Sequence, residues 1–290
     1  MSAKRRRNKA WRSLNLSDDY LFAKVMSDRE VCKVVLEKLL EISIEKLEVP
    51  TGQKVIDLLA ESKGVRLDVY VNDEKGTIYN IEMQRTQEKK KERLLEKRSR
   101  YYQGSIDLDI ISKGESCEKL KKSMVIFICS FDPFGRGRHR YTFENICKEE
   151  PDLRLEDDTM KVFFNTRGTK KDVSDEVEEF LQYVENSTDE KAESCQSELV
   201  KLVHKRVKEV KESKELEVEY MTLMQREREI GEKEREKGRK EGRKEGQARG
   251  ARMLQLRYMG KSYEEIAELM KANVQEVSSF LKEYETFAIV

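Results

Sequence analysis

Asp68, in the run VRLDVYV, and Glu82, in the run TIYNIEMQ, lie on two short apolar-alternating segments joined by NDEKG. In the first, Val65, Leu67, Val69 and Val71 share one face, and Arg66, Asp68 and Tyr70 share the other. In the second, Tyr79, Ile81 and Met83 oppose Asn80, Glu82 and Gln84. Period-two patterning on both arms predicts two strands. A loop of Glu74, Lys75 and Gly76, with the glycine left-handed, makes a type I turn with a bulge. That register sets Asp73 against Thr77 and therefore Asp68 against Glu82. Directly opposed residues have Cβ atoms roughly 5 Å apart. Two carboxylates that close repel unless a proton or a cation lies between them. The pair, with Gln84 on the same face to hold a water, suits a divalent metal. The alternative is a polar hairpin face turned to solvent.

These strands need a scaffold, and the composition provides for one. The chain has 290 residues, 37% hydrophobic and 40% charged, enough for one substantial core plus a solvated appendage. Its 58 basic and 57 acidic residues give a formal net charge of +1, so a nucleic-acid signal must come from local segregation of charge. Five cysteines (Cys32, Cys117, Cys129, Cys147, Cys195) form no CxxC pair, which argues for a reducing compartment and against a disulfide framework or a zinc finger. No apolar run approaches the roughly 20 residues that span a bilayer, and the basic start MSAKRRRNKAW has no apolar stretch after it. The expectation is a soluble cytoplasmic protein with no membrane partner.

Residues from about Asp18 to Glu48 read as helices, with Ser27 or Asp28 as a cap between LFAKVM and VCKVVLEKLL. After the hairpin comes a long helical pattern ending near Gly114. Leu94, Leu95, Tyr101, Tyr102 and Ile106 form its stripe, and Arg98 lies one turn before Tyr102. Met124 to Cys129 is a continuous apolar run, the mark of a central strand buried on both faces. FDPFGRGRHR is a loop, Arg140–Phe143 and Met160–Phe164 are strand candidates, and a helix is expected from about Val173 to Tyr183. Helices and strands around one apolar strand imply an α/β layer domain over residues 14–185. Residues 186–250 read as a charged helical linker whose Gly238, Gly242, Gly246 and Gly250 recur every four residues, and His204 within it reads as solvated. Residues 251–290 read as a small helix-turn-helix-like end, with Ser262 capping Tyr263–Met270.

The order of these segments resembles the PD-(D/E)XK nuclease superfamily, and more narrowly the recombination-promoting nucleases and PD-(D/E)XK family transposases of bacteria. DDYLFAKVM, RLDVYV, NIEMQ, KRSRYYQ, VIFICSFDPFG and VFFNTRG carry the likeness over most of residues 15–185. The resemblance implies a restriction-endonuclease-like mixed sheet flanked by helices, and metal-dependent hydrolysis of DNA phosphodiesters in transposition or recombination. It implies Mg²⁺ (or Mn²⁺) held by Asp68 and Glu82 with the carbonyl of Met83. In the superfamily a lysine follows the second acid; here Gln84 stands in that place, as is usual for this group. A glutamine orients water but brings no charge, so a cation must reach in from elsewhere. Arg98 is the first candidate and Lys24 the second. Asp19, Lys24 and Tyr102 are expected to support the site from behind, although Asp18 and Asp19 also read as an N-cap pair.

Arg136, Arg138 and Arg140, around His139, are expected to contact DNA phosphates, affinity without sequence readout; a plain basic surface loop is the alternative. The terminal helices carry Glu276 and Glu283 beside Lys271 and Lys282, so weak DNA engagement or assembly into a homodimer is expected rather than base reading. The rival to an enzyme is a catalytically inert nuclease-like DNA-binding or protein-interaction module of mobile-element origin.

Overall fold

A computed structural model describes residues 11–48, 55–56, 65–85, 94–111 and 116–287. Two acids start the chain's first helices. Asp18 caps α1 (Asp19–Met26) by accepting from the amides of Tyr20 and Leu21, and Asp28 caps α2 (Arg29–Leu40) by accepting from Glu30 and Val31. Six strands follow in one sheet: β1 (Leu47–Glu48), β4 (Val69–Asp73), β5 (Ile78–Gln84), β6 (Ser123–Cys129), β8 (Thr159–Asn165) and β7 (Arg140–Phe143), in that spatial order. β5, β6 and β8 are mutually parallel, whereas β4 on β5 and β7 on β8 are antiparallel. Every residue of β6 is buried, as its uninterrupted apolar run requires.

The hairpin turn has the expected chemistry. Gly76 sits at φ +79°, the Asp73 amide donates to Thr77, and the Gly76 amide donates to Asp73. The ladder runs from Asn72–Ile78 to Val69–Ile81, and just beyond it the Asp68 amide meets the Glu82 carboxylate. The first strand, however, is not continuous. It breaks at Asp68, and β3 (Val65–Arg66) pairs with β2 (Val55–Ile56) in a separate two-stranded sheet. The break removes Leu67 from the face of Val69 and Val71. Leu67 instead joins a cluster of Tyr102, Ile106, Val125, Phe127 and Phe163. Side-chain bonds of Asp68 to the neighbouring strand take the place of ladder bonds there.

Helix α3 (Leu94–Ile110) covers this face of the sheet through Tyr102 and Ile106. Tyr79, Ile81, Met83, Ile126 and Ile128 are buried on the opposite face, where α1 reaches β5. The compact part of the chain does not end near Glu185. After α4 (Asp175–Glu185) and α5 (Asp189–Ser194), α6 (Glu198–Glu212) buries Leu199, Val200, Val203, Val207 and Val210 against α1, α2 and α4. The spacing of these residues marks one helix face, hidden among lysines and glutamates. Trp11 is fully buried, donates from Nε1 to the carbonyl of Lys211 at 3.0 Å and packs on Tyr20 and Tyr220. The chain divides into two compact units between Tyr220 and Met221.

In the second unit, the end of α7 (Lys214–Tyr258), α8 (Tyr263–Met270) and α9 (Val274–Phe287) share a core of Met253, Leu256, Ile266, Ala267, Val277 and Leu281. Ser262 and Glu265 form a capping box at the start of α8. Gly250 packs against Phe280: a Cβ there would meet the tip of that exposed ring at 2.8 Å, and the ring would have to shift. Gly238, Gly242 and Gly246 face open space.

Val203→Ala tests the role of α6. It is expected to lower unfolding stability by about 2–3 kcal/mol in chemical denaturation. A change within about 0.5 kcal/mol, the range of a solvated site, would place α6 off the core.

Candidate active site

The hairpin brings Asp68 and Glu82 together, and the break at Asp68 turns that acid onto its neighbour's backbone. The Asp68 amide donates to Glu82 Oε1 at 3.1 Å, and Asp68 Oδ2 accepts from the Met83 amide at 3.2 Å. Each carboxylate is thus anchored through one oxygen by the backbone of the opposite strand. Glu82 is only 2% exposed. Burial, and then the charge of Asp68, push its carboxyl well above the ordinary range; the Asp68 amide and Arg98 only partly oppose this. Asn80, two residues earlier on the same face, is fully buried near enough to favour the ionised Glu82. Neither of its amide atoms completes a hydrogen bond of good geometry.

Arg98 reaches in from α3. Its Nη1 donates to Gln84 Oε1 at 2.6 Å and its Nη2 to the Tyr102 hydroxyl at 2.7 Å, and Nη2 lies 3.8 Å from Glu82 Oε2. The guanidinium also lies over the rings of Tyr102 and Phe127, 5.3 and 5.8 Å from their centroids. Tyr102 is held above its usual pKa by burial and then by Glu82. Cys129, at the end of the adjacent strand, is buried and pushed up to about 12, so it is no nucleophile at neutral pH.

Among the other residues singled out by the sequence, Asp19 is exposed in the first turn of α1. The acid tied to the site strand is Asp18, whose Oδ2 lies 3.4 Å from Nη1 of Arg85, the residue after Gln84. Lys24 does not approach the carboxylates; it pairs with Glu219 at 2.9 Å and lies over Tyr20. Its helix points the long stem at α7 instead. Arg136 is exposed, Arg138 lies 3.4 Å from Asp172, and Arg140 is paired with Glu41 at 3.3 Å. Neither histidine is a solvated surface group. His139 is 4% exposed, with Nδ1 on the Lys170 carbonyl at 2.7 Å. His204 bridges the Tyr183 hydroxyl at 2.8 Å and Asp189 at 3.0 Å. Of the two N-terminal acids that the sequence offered as support for the site, Asp18 is the one linked to the site strand; the burial of Asn80 was not readable, because it belongs to no spaced motif.

Among the described residues no three His, Cys, Asp or Glu side chains gather as a metal centre. A cation here would rely on two carboxylates, a main-chain carbonyl and water. That donor set is all oxygen and suits Mg²⁺ or Mn²⁺. The residues fit such an ion: a deeply buried glutamate faces a second acid, and among the described residues Arg98, at 3.8 Å, is the side-chain cation paired with it. A mixed six-stranded sheet flanked by helices, with paired acids on a central hairpin, is a restriction-endonuclease-like α/β architecture. The sequence pattern of the PD-(D/E)XK nuclease family transposase matches residues 16–240, and the chain belongs to that family. No curated protein and no solved structure matches it.

The raised carboxyl of Glu82 has a consequence for stability. The fold favours its protonated form, so Glu82 contributes stability to the metal-free protein that is fully present below the unfolded glutamate pKa of about 4.3 and is lost as pH rises through the raised folded value. Glu82→Gln is expected to flatten that loss and raise Tm at neutral pH in EDTA. Melts of both proteins from pH 5 to 8 that ran parallel would show that Glu82 does not carry this strain.

Proposed function

We propose that this protein is a divalent-metal-dependent DNA endonuclease that hydrolyses phosphodiester bonds in transposition or recombination, acting in the cytoplasm. The observation that carries the reading is the reciprocal anchoring of Asp68 and Glu82, which fixes two acids face to face at a buried strand end. In this reading Asp68 and Glu82, with the Met83 carbonyl, hold Mg²⁺ or Mn²⁺. When bound, such an ion supplies Lewis acidity to a phosphodiester oxygen and acidifies water. Gln84 positions the attacking water. Arg98, fixed 2.6 Å from the Gln84 amide, supplies the positive charge that a lysine at that position would bring. Tyr102 holds the guanidinium in place. The nuclease-like unit in this proposal runs to Tyr220, and the terminal helices serve weak DNA engagement or self-association. The glutamine at position 84 favours a second reading, a catalytically inert DNA-binding or interaction module of the same origin.

Nicking of supercoiled plasmid in Mg²⁺, Mn²⁺ and EDTA separates the two. Cleavage is expected with either metal, none in EDTA, and a loss of at least about 100-fold in Asp68→Ala. Equal nicking by both proteins would remove Asp68 from the site, and none by either would select the inert module. The Arg98 role has its own test. Arg98→Met is expected to lower the cleavage rate about 10²–10³-fold, and adding Gln84→Lys in that background to restore part of it. No recovery, with the metal-dependent rise in Tm intact, would assign Arg98 to structure alone.

A further inference from the structure

The parallel strands β5, β6 and β8 end level with one another. Gln84, Cys129 and Asn165 share one register row, Ser130 donates to the Gln84 carbonyl, and Thr166 donates to the Cys129 carbonyl. The loops that follow β6 and β8 therefore leave the sheet at the edge that carries the candidate site. Strand spacing of about 4.8 Å places their origins roughly 5 and 10 Å from the end of β5.

These two loops are fused into one body. Asp132 draws the first together: Oδ1 accepts from the amides of Phe134 and Gly135 and from the Tyr141 hydroxyl, and Oδ2 from Gly137. The Tyr141 oxygen in turn accepts from the amides of Arg136 and Arg138. The Gly137 carbonyl accepts from the amides of Thr169 and Lys170 in the second loop. His139 completes the join: its amide donates to Asp172, its Nδ1 meets the Lys170 carbonyl, and its ring lies on Gly168. A Cβ on Gly168 would come within 2.4 Å of that ring, so only glycine admits it.

The charges on this body are unequally disposed. Asp132 is turned inward on amides, and Asp172 is occupied by His139 and Arg138. Arg136, Arg167, Lys170 and Lys171 are all exposed. Among the described residues, the acid paired with any of them is Asp175, 3.9 Å from Lys171, with both side chains more than 80% exposed and so weakly coupled.

We propose that the fused loop pair 130–139 and 166–172 is a rigid phosphate platform. It grips the DNA backbone beside the cleavage site through Arg136, Arg167, Lys170 and Lys171. A duplex carries one charge about every 1.7 Å of axis, so a surface whose loops leave the sheet roughly 5 and 10 Å from the end of β5 reaches several phosphates. Bracing by Asp132 and His139 holds these cations on ordered backbone, and contacts of this kind orient a duplex without reading its sequence. The proposal rests on the DNA-cleaving reading, yet binding and cleavage are measured apart.

The test uses the full chain in EDTA, where no cleavage occurs, and a fluorescently labelled duplex titrated at several salt concentrations. The variant R136E/R167E/K170E/K171E, checked for an unchanged melt, is expected to bind at least tenfold more weakly. Its log–log salt slope is expected to fall by about 3 to 4, near 0.9 per phosphate contact. Unchanged affinity and slope would overturn the platform, as would a wild-type protein that binds no duplex. An equal loss on reversing Lys233, Lys237, Lys240 and Lys244 of α7 would overturn it too, by reducing the effect to net charge. Plasmid nicking by Asp68→Ala reports separately on the cleavage reading, so binding that survives a failed nicking assay leaves the platform standing.

Discussion

A carboxylate buried on a central strand must be compensated, and the rest of the site is arranged around that need. Glu82 is almost fully enclosed, and an isolated ionised acid in such a place costs several kcal/mol. The Asp68 amide, Asn80 and Arg98 each favour its charged form, while Asp68 itself opposes it. Backbone amides supply the anchoring because they cost no side-chain entropy to position. The exchange is mutual: Asp68 gives an amide to Glu82, and the strand of Glu82 gives one back through Met83. Neither acid can be removed without leaving a buried donor on the other strand unmatched. The break in the first strand is the structural cost of that exchange.

Charge compensation comes from a different element than the motif suggests. On α3, Arg98 and Tyr102 stand one turn apart, so the hydroxyl catches the guanidinium as it leaves the helix. Aromatic rings of Tyr102 and Phe127 flank the planar group. A guanidinium suits this position better than an ammonium, because its fork bonds two oxygens at once and it tolerates partial burial. Burial by itself would disfavour its charge, but Tyr102, Glu82 and Asp68 outweigh that, and Arg98 stays protonated.

Much of this was legible in the sequence where local rules act alone. Gly76 sets the turn, the turn sets the register, and the period-two pattern sets the faces, so Asp68 opposite Glu82 followed from a few residues. The apolar run Met124–Cys129 of β6, the strand Arg140–Phe143 and the Ser262 cap were legible for the same reason. What was hidden depends on long-range contacts. The strand break at Asp68 comes from side-chain to backbone bonds that leave no trace in periodicity. The buried face of α6 is masked by the lysines and glutamates around it, which made a core helix read as linker and His204 read as solvated. The burial of His139 depends on Gly168, 29 positions away by their numbers. Arg98 was recognisable as a candidate from its turn-spacing to Tyr102, whereas Lys24, equally basic, is drawn off by Glu219, a partner far along the chain.

The glutamine at position 84 is best understood as one half of a matched pair. Gln84 accepts a hydrogen bond from Arg98 at 2.6 Å. A lysine has no acceptor to offer there, and its ammonium would stand against the guanidinium. At about 4 Å two like charges repel by roughly 4 kcal/mol at an effective dielectric constant of 20. Arg98 and a lysine at 84 would therefore exclude each other, and with Arg98 already fixed by Tyr102 a neutral acceptor is the residue the site can hold. On the proposed reading, the departure from the superfamily pattern relocates the cation from strand to helix without subtracting it. The end of β5 is left with a polar amide bonded to the guanidinium that faces Glu82, and Arg85 just beyond it reaches back to Asp18 at the cap of α1. The short Gln84–Arg98 bond ties the strand end to α3, and in the proposed reading that fixity is what lets the two carboxylates hold a small, strictly coordinating ion.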